Sequence, residues 1–246
     1  MPTFFVASDA VTPPTIRISG ALLLHLKDSL RVHRGEFLSV TVDRGSRYRV
    51  EVTETTPREL AGRIIETIEA PARQSPSLFL AQALLKGDKM DWTIQKATEL
   101  GVDRVIPLIA THSVVKSHPH RVDRQLTRWR RIALEAAQQS ERWTVPTIDK
   151  PMTLQELCAR YGTCTSKIIL LERSTEASLS TIPLASGHTG SVLLAIGPEG
   201  GWTEEEIRMA QEADYCPVTL GERILRAETA SLAAMSVVQA RLGELG

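Results

Sequence analysis

Between an apolar run and a helix start, the stretch LLAIGPEGGWTEEEI (residues 193–207) places Gly197, Pro198, Glu199, Gly200 and Gly201 where a shorter turn would connect the two. Glycine admits positive φ and lets other groups approach the backbone closely, so a cluster of three points to a ligand. The spacing is not G-x-G-x-x-G and no lysine follows at Walker spacing, so dinucleotide and P-loop readings lose their main support. Thr203 and Glu206 are spaced as a capping box that starts a helix. Glu204, Glu205 and Glu206 fill its first turn, which suits the helix dipole but repels phosphate. The glycines read as room for a flat ring against bare peptide, not as a cradle for a triphosphate.

A second loop, LGERILRAETA (residues 220–230), follows the short apolar run PVTL and leads into an alanine-rich helix. Gly221 permits close approach, Ile224 and Leu225 are aliphatic among charged neighbours, and Arg226 is a fixed cation. A third, LLERS, ends an apolar run with Glu172 beside Arg173. Together they describe a pocket of backbone donors with apolar walls, which adenosine without phosphates would fit. Each loop taken alone is equally an ordinary tight turn.

These loops need a frame. From SLFLAQALL onward, short apolar runs alternate with helical patterns: DKMDWTIQKATELG, VIPLIA, a long helix from about His120 to Arg142, TLQELCARY, KIILL, SVLLAIG, TEEEIRMAQEA, PVTL, and a last helix from about Glu228 to Leu242. That rhythm predicts a parallel sheet covered on both faces, and such sheets bind ligands beyond the carboxyl ends of their strands. The last helix is apolar on more than one face, so it is buried on several sides. Before residue 72 the pattern is mainly short strands: FFVA, TIRIS, EFLSVTV, RYRVEVTE and LAGRIIETI, with one amphipathic helix, ALLLHLKDSLRV. Alternation puts Leu38, Val40 and Val42 on one face, with Tyr48, Val50 and Val52 on the partner strand, as in a small barrel. EAPARQSPS (residues 69–77) reads as a linker.

The chain has 246 residues, 42% of them hydrophobic and 24% charged, with a formal net charge of zero. A general nucleic-acid coat is therefore not expected, but local patches remain. Arg44, Arg47 and Arg49 lie on or beside the outer face of the RYRVEVTE strand. Arg124, Arg128 and Arg131 share one stripe of the long helix, opposite an apolar stripe of Leu126, Trp129, Ala133 and Ala136. Either set is a solvated face or one half of a split phosphate clamp. The start MPTFFVASDA has no basic residue followed by an apolar core, no run is long enough for a membrane span, and Cys158, Cys164 and Cys216 lack metal-ligand spacing. A cytoplasmic protein without a metal is expected, the histidines of KSHPHR (His118 and His120) included.

IGPEGGWTEEEI and LGERILRAETA closely resemble the two C-terminal motifs of the RsmE family, which methylates uridine N3 in 16S ribosomal RNA and belongs to the SPOUT superfamily. ALLKGDKMDWTIQKATELGV, RWRRIALEAAQQSER and, more loosely, HLKDSLRVHRGE extend the resemblance over nearly the whole chain. Glu141 departs from it, since relatives commonly have glycine there. The resemblance implies an α/β fold: a SPOUT-type parallel sheet with helices on both faces and a deep C-terminal trefoil knot (73–246), preceded by a small PUA-like β-barrel that binds RNA (1–72). Nothing in the periodicity points to a knot, and threaded chains are rare. The resemblance also implies S-adenosylmethionine as cofactor, in a pocket lined by Ile196, Gly197, Pro198, Glu199, Gly200, Gly201, Leu220, Gly221, Ile224, Leu225, Arg226 and Ala230. A homodimer with its sites near the subunit interface, acting on 16S rRNA or the assembled small ribosomal subunit, completes what it implies.

Uracil N3 is a poor nucleophile until its proton leaves, so the site needs a base or a cation that stabilises the anion. Arg226 is the candidate cation. Glu172, Glu199 and Glu228 are candidate bases, and each is equally a cap, a loop ion pair or a first-turn charge. Two rival readings stand beside this one: a knotted methyltransferase acting on transfer RNA or another base, and a non-catalytic RNA-binding homologue.

Overall fold

The computed structural model describes residues 3–43, 45–113, 119–173 and 177–246, and for residues 119–121 the backbone alone. They form two compact units, Met1–Ala72 with Ala137–Val145, and Arg73–Ala136 with Pro146–Gly246.

The first unit is built on β1 (Thr3–Val6), β2 (Val11–Thr12), β3 (Thr15–Ile18), β4 (Phe37–Val42), β5 (Arg47–Thr55) and β6 (Leu60–Ile68), in one sheet of order β1-β4-β5-β6-β3-β2. The faces read from the alternation meet in the observed register, where Leu38 pairs with Val50 and Val40 with Tyr48. Leu38, Val40, Val50 and Val52 are buried with Phe4, Ile16 and Leu60, whereas Val42 and Tyr48 are only half-buried. Helix α1 (Gly20–Leu24) continues as one π turn, His25–Ser29, and ends short of the expected Val32. Leu23 and Leu26 face the core from this helix, and Val32 returns to it with its N–H on Leu26 O (3.0 Å).

The segment 137–145, expected up to Arg142 as the end of the long helix, groups with this unit instead. The helix stops at Gln139, and the chain reverses at Glu141, whose φ is 51°. A left-handed φ is disfavoured for a side chain of this size, a cost that glycine at this position would avoid. Arg47 holds the reversal, donating to Glu141 O (2.9 Å) and Arg142 O (3.2 Å) with its guanidinium 4.1 Å from the centre of the Trp143 ring. Asp43 accepts the Val145 N–H at 3.1 Å.

The second unit carries β7 (Ser77–Ala83), β8 (Arg104–Ile109), β9 (Thr147–Ile148), β10 (Met152–Thr153), β11 (Ser166–Leu170), β12 (Ser191–Ile196) and β13 (Cys216–Val218). Their order is β10-β8-β7-β12-β11-β13, with β9 also on β8, and each pairing is parallel. The helices are α2 (Lys89–Glu99), α3 (Pro119–Gln139), α4 (Leu154–Arg160), α5 (Glu204–Glu212) and α6 (Ala227–Arg241). This is the α/β architecture that the alternation predicted. On α3 the stripe Leu126, Trp129, Ala133 and Ala136 is buried, and Trp129 Nε1 donates to Asp91 at 3.1 Å. Helix α6 packs on α2 and β12. Its Gln239 donates to Leu100 O (2.7 Å), and its Arg241 donates to Leu179 O (2.7 Å) and Ile182 O (2.6 Å).

Strand order is what positions the candidate loops. β12, β11 and β13 are neighbours, so their carboxyl ends at Ile196, Leu170 and Val218 lie side by side, about 5 Å apart per strand. The three loops singled out from the sequence begin at those ends. No helix among the described residues is long and apolar enough to cross a membrane.

Candidate active site

Where the three loops meet, a cavity of about 520 Å³ opens. The first loop lines it with Ile196, Gly197, Pro198, Glu199, Gly200 and Gly201. The second contributes Leu220, Ile224, Leu225, Arg226 and Ala230, and the third contributes Glu172. Gly221 and Glu228 are not among the lining residues. Sequence reasoning passed over Leu170, Trp202, Thr219 and Arg223, which also line it, and gave Arg173 no role. Trp202, Arg173 and Arg223 stand beside chosen residues within the same motifs, and that adjacency was the available signal.

The glycines turn out to serve the loop as much as the cavity. A Cβ on Gly197 would lie 3.0 Å from Trp202 Nε1, and one on Gly200 would lie 2.9 Å from His112 Cβ. The space beside both is taken by protein side chains, so the bare-peptide explanation for them needs correcting: their backbones line the cavity while their missing side chains admit Trp202 and His112. Gly201 differs, with φ at +71°. Trp202 Nε1 donates to Leu170 O at 3.0 Å and so ties the first loop to the third. His112 Nδ1 lies 3.0 Å from Gly200 O and 3.2 Å from Gly201 O. Both are acceptors only, so Nδ1 carries the hydrogen.

The capping box forms as its spacing predicted, with Thr203 Oγ1 accepting from Glu206 N and Glu206 accepting from Thr203 N. Glu206 is 7% exposed and also takes the Thr111 N–H at 2.8 Å. One of the three acids in that turn is thus a structural tie to the loop after β8.

The candidate bases separate by their surroundings. Lys89, at the start of α2, puts Nζ 3.1 Å from Glu228 and 3.7 Å from Glu199. Burial would push the Glu228 carboxyl up, but its own backbone N–H and the Lys89 ammonium outweigh burial and hold it below the usual range. Glu228 therefore acts as a counter-ion to Lys89. Glu172 is exposed, lines the cavity and forms no ion pair among the described residues. Arg226 precedes α6 in an extended conformation (φ −63°, ψ 149°) and is exposed where it lines the cavity.

The arginines read as an RNA clamp meet different fates. Arg44 lies outside the described residues. Arg47 is engaged by the 137–145 segment, and Arg49 is exposed with its guanidinium 4.7 Å from the centre of the Phe37 ring. Arg128 is ion-paired with Asp91 and Arg131 lies 3.6 Å from Glu135, while Arg124 is exposed. His118 and the side chain of His120 lie outside what is described, and Cys158, Cys164 and Cys216 are free thiols.

Residues 73–239 match the RNA methyltransferase domain family. The chain is 33% identical over 229 residues to ribosomal RNA small subunit methyltransferase E of Bacillus subtilis (strain 168), covering 92% of this chain and 90% of that one. The crystal structure of a ribosomal RNA small subunit methyltransferase E from Neisseria gonorrhoeae, bound to S-adenosyl methionine, superposes with a TM-score of 0.88 at 31% identity, covering 98% of each chain. A methyltransferase from Legionella pneumophila, solved in complex with the cofactor SAM, gives a TM-score of 0.88 at 28% identity over 97% of each chain.

Proposed function

The chain belongs to the RNA methyltransferase family, among the small-subunit ribosomal RNA methyltransferases E, and on that premise we propose that it methylates uridine N3 of 16S ribosomal RNA with S-adenosylmethionine as donor. One observation carries the reading: the motif loops meet on three adjacent strand ends around one cavity.

The residues present fit that donor. Leu170, Ile196, Leu220 and Leu225 give apolar walls for an adenine ring, and the Gly197–Gly201 backbone gives polar atoms for its edge. Charges of both signs, on Glu172, Glu199, Arg173, Arg223 and Arg226, suit an amino acid end that is itself a zwitterion. When bound, S-adenosylmethionine supplies a methyl group on a sulfonium, already activated for transfer. The protein's work is then alignment, exclusion of water and proton handling at the uracil. Arg226 stabilises negative charge developing on the uracil carbonyl oxygens as the N3 proton leaves. Glu172 takes that proton, because among the three acids it both lines the cavity and is free of Lys89. Glu199 and Glu228 instead fix the loops through Lys89.

The finer fold rests on the same premise. Residues 1–72, joined by 137–145, form the PUA-like RNA-binding barrel, and the rest of 73–246 forms the SPOUT domain with its trefoil knot. Support for the knot comes from the path after β12: the chain reaches the sheet edge at β13, then returns for α6 to pack on β12 and α2 and to hold the Leu179–Ile182 segment through Arg241. Half-buried Leu232, Ala233 and Val237 on α6 are offered as the seam of a homodimer. Arg49 and Arg124 remain as RNA contacts, and the enzyme acts in the cytoplasm on 16S rRNA or the assembled small subunit without a metal.

Nucleoside mass spectrometry of small-subunit ribosomal RNA tests the reading. Cells lacking the protein should lose N3-methyluridine and regain it on complementation; an unchanged level refutes the assignment.

A further inference from the structure

A second concavity, of about 550 Å³, lies in the first unit, between the end of the π turn and β5. Its lining includes Lys27, Arg31, His33 and Arg34, with Glu54 as the one carboxylate. We propose that this concavity grips the phosphodiester backbone of the RNA substrate, with Arg31 and Arg34 as its principal contacts. The proposal rests on the reading that the substrate is RNA, and it deepens that reading by naming where the first unit holds it.

The site is built rather than incidental. The 30–36 segment is bolted to β5 by Gly35 N–H on Val52 O (2.8 Å) and Val52 N–H on Glu36 O (2.9 Å). Glu36 also accepts the His33 N–H at 3.0 Å, and Lys27 donates to Thr56 O at 3.2 Å. Arg31 sits at φ 53°, a left-handed conformation unusual for a long side chain. Strain of this kind persists only where its surroundings impose it, and it gathers at functional positions. Here the reversal brings Arg31 and Arg34 to the same concavity as Lys27 from the preceding turn. Both arginines are exposed and neither forms an ion pair among the described residues. Arg17 and Arg63 of the same unit contrast with them, paired to Glu59 (2.6 Å) and Glu51 (2.7 Å). A planar guanidinium with unused donors matches a phosphate group in two-point fashion. With zero net charge over the whole chain, a local excess of this kind is what would draw a polyanion to one face.

The experiment is a salt titration of binding to transcribed 16S ribosomal RNA. The variant pair Arg31→Gly with Arg34→Ala removes both charges while glycine keeps the left-handed φ. Affinity should fall about tenfold at moderate salt, and the slope of log K against log salt should flatten by about 1.4, two contacts at roughly 0.7 each. The control pair Arg17→Ala with Arg63→Ala removes the same charge from the same unit and should leave the slope within about 0.3 of wild type. Calorimetry with S-adenosylmethionine on each protein, expected unchanged, reads the fold and the cavity of the second unit separately. A wild-type slope in the Arg31/Arg34 pair, or an equal flattening in the control pair, overturns this site alone. Wild-type protein that forms no salt-dependent complex with the RNA overturns both the site and the reading beneath it. Inorganic phosphate that displaces RNA far better than chloride at matched ionic strength assigns the concavity to free phosphate and also overturns the proposal.

Discussion

The cavity of the second unit is framed by loops that leave adjacent strand ends, and the cationic surface of the first is made by side chains. That difference decides which of the two can be read from sequence. In the second unit, Gly197–Gly201 and Leu220–Arg226 are fixed by strand ends, a capping box and the order β12-β11-β13, and each of these is written locally or follows from the alternation of elements. In the first, the fate of a charge depends on a partner far along the chain: Arg47 is taken up by carbonyls 94 and 95 residues away. Arg31 and Arg34, which no pattern singled out, form no ion pair among the described residues.

The largest test of this contrast is at Arg226. If Arg226 acts on the uracil rather than on the donor, Arg226→Ala should lower turnover about 10²- to 10³-fold. Its affinity for S-adenosylmethionine, measured by calorimetry, should stay within about threefold of wild type. Unchanged turnover removes Arg226 from the chemistry.

The backbone side of the contrast is tested at Gly201. A Cβ there would meet Glu172 Oε1 at an ordinary 3.7 Å, so Gly201→Ala adds no clash, only the cost of φ +71°. That cost is about 1 to 2 kcal/mol, and it should appear as donor affinity weakened up to about tenfold. Gly221→Ala is the comparison, because Gly221 has φ +116° but is not among the lining residues. Its cost should appear in thermal stability with donor affinity nearly unchanged. Equal loss of affinity in both variants would mean that the loops move as one body, and the local reading of the first loop would fall.

Much of the frame was legible for plain reasons. Period-two alternation put Leu38 and Val40 on one inward face with Val50 and Val52 on the partner strand, and helical spacing gave the buried Leu126, Trp129, Ala133 and Ala136 stripe. Thr203 with Glu206 gave the start of α5, because a cap is a contact between near neighbours. What sequence did not disclose was long-range. The fillers of the space beside Gly197 and Gly200, Trp202 and His112, were invisible because one is a loop neighbour whose direction is set by Leu170 and the other lies 88 residues away. Lys89, which joins Glu199 to Glu228, begins a helix on the other side of the sheet order and carries no spacing signal. The grouping of 137–145 with the first unit was equally hidden, since it rests on Arg47, Asp43 and Trp143 meeting across about a hundred positions.

A smaller effect is expected at Arg47, and it tests the side-chain half directly. Arg47→Ala removes two hydrogen bonds to carbonyls and a cation–π contact, at about 1 to 2 kcal/mol in total. The melting temperature should fall by about 3 to 6 °C, while the salt slope for RNA binding stays at the wild-type value. A flattened slope with an unmoved melting temperature would make Arg47 a phosphate contact and erase the distinction between engaged and free cations.

The smallest effect belongs to Glu141, whose φ of 51° places a long side chain in the left-handed region. Glycine there removes a local cost of about 1 kcal/mol, offset in part by the greater freedom of glycine in the unfolded chain. Arg47 donates to the Glu141 carbonyl oxygen, which glycine retains, so the clamp survives the change. Glu141→Gly should therefore raise stability by about 0.5 kcal/mol, a shift of roughly 1 to 2 °C in melting temperature. Glu141→Ala separates backbone from charge: alanine loses the carboxylate but keeps the unfavourable φ, so it should give no gain. If alanine stabilises as much as glycine, the carboxylate beside the clamp is the source of the strain. In that case the turn, like the cationic concavity of the same unit, is governed by side-chain charge rather than by backbone geometry.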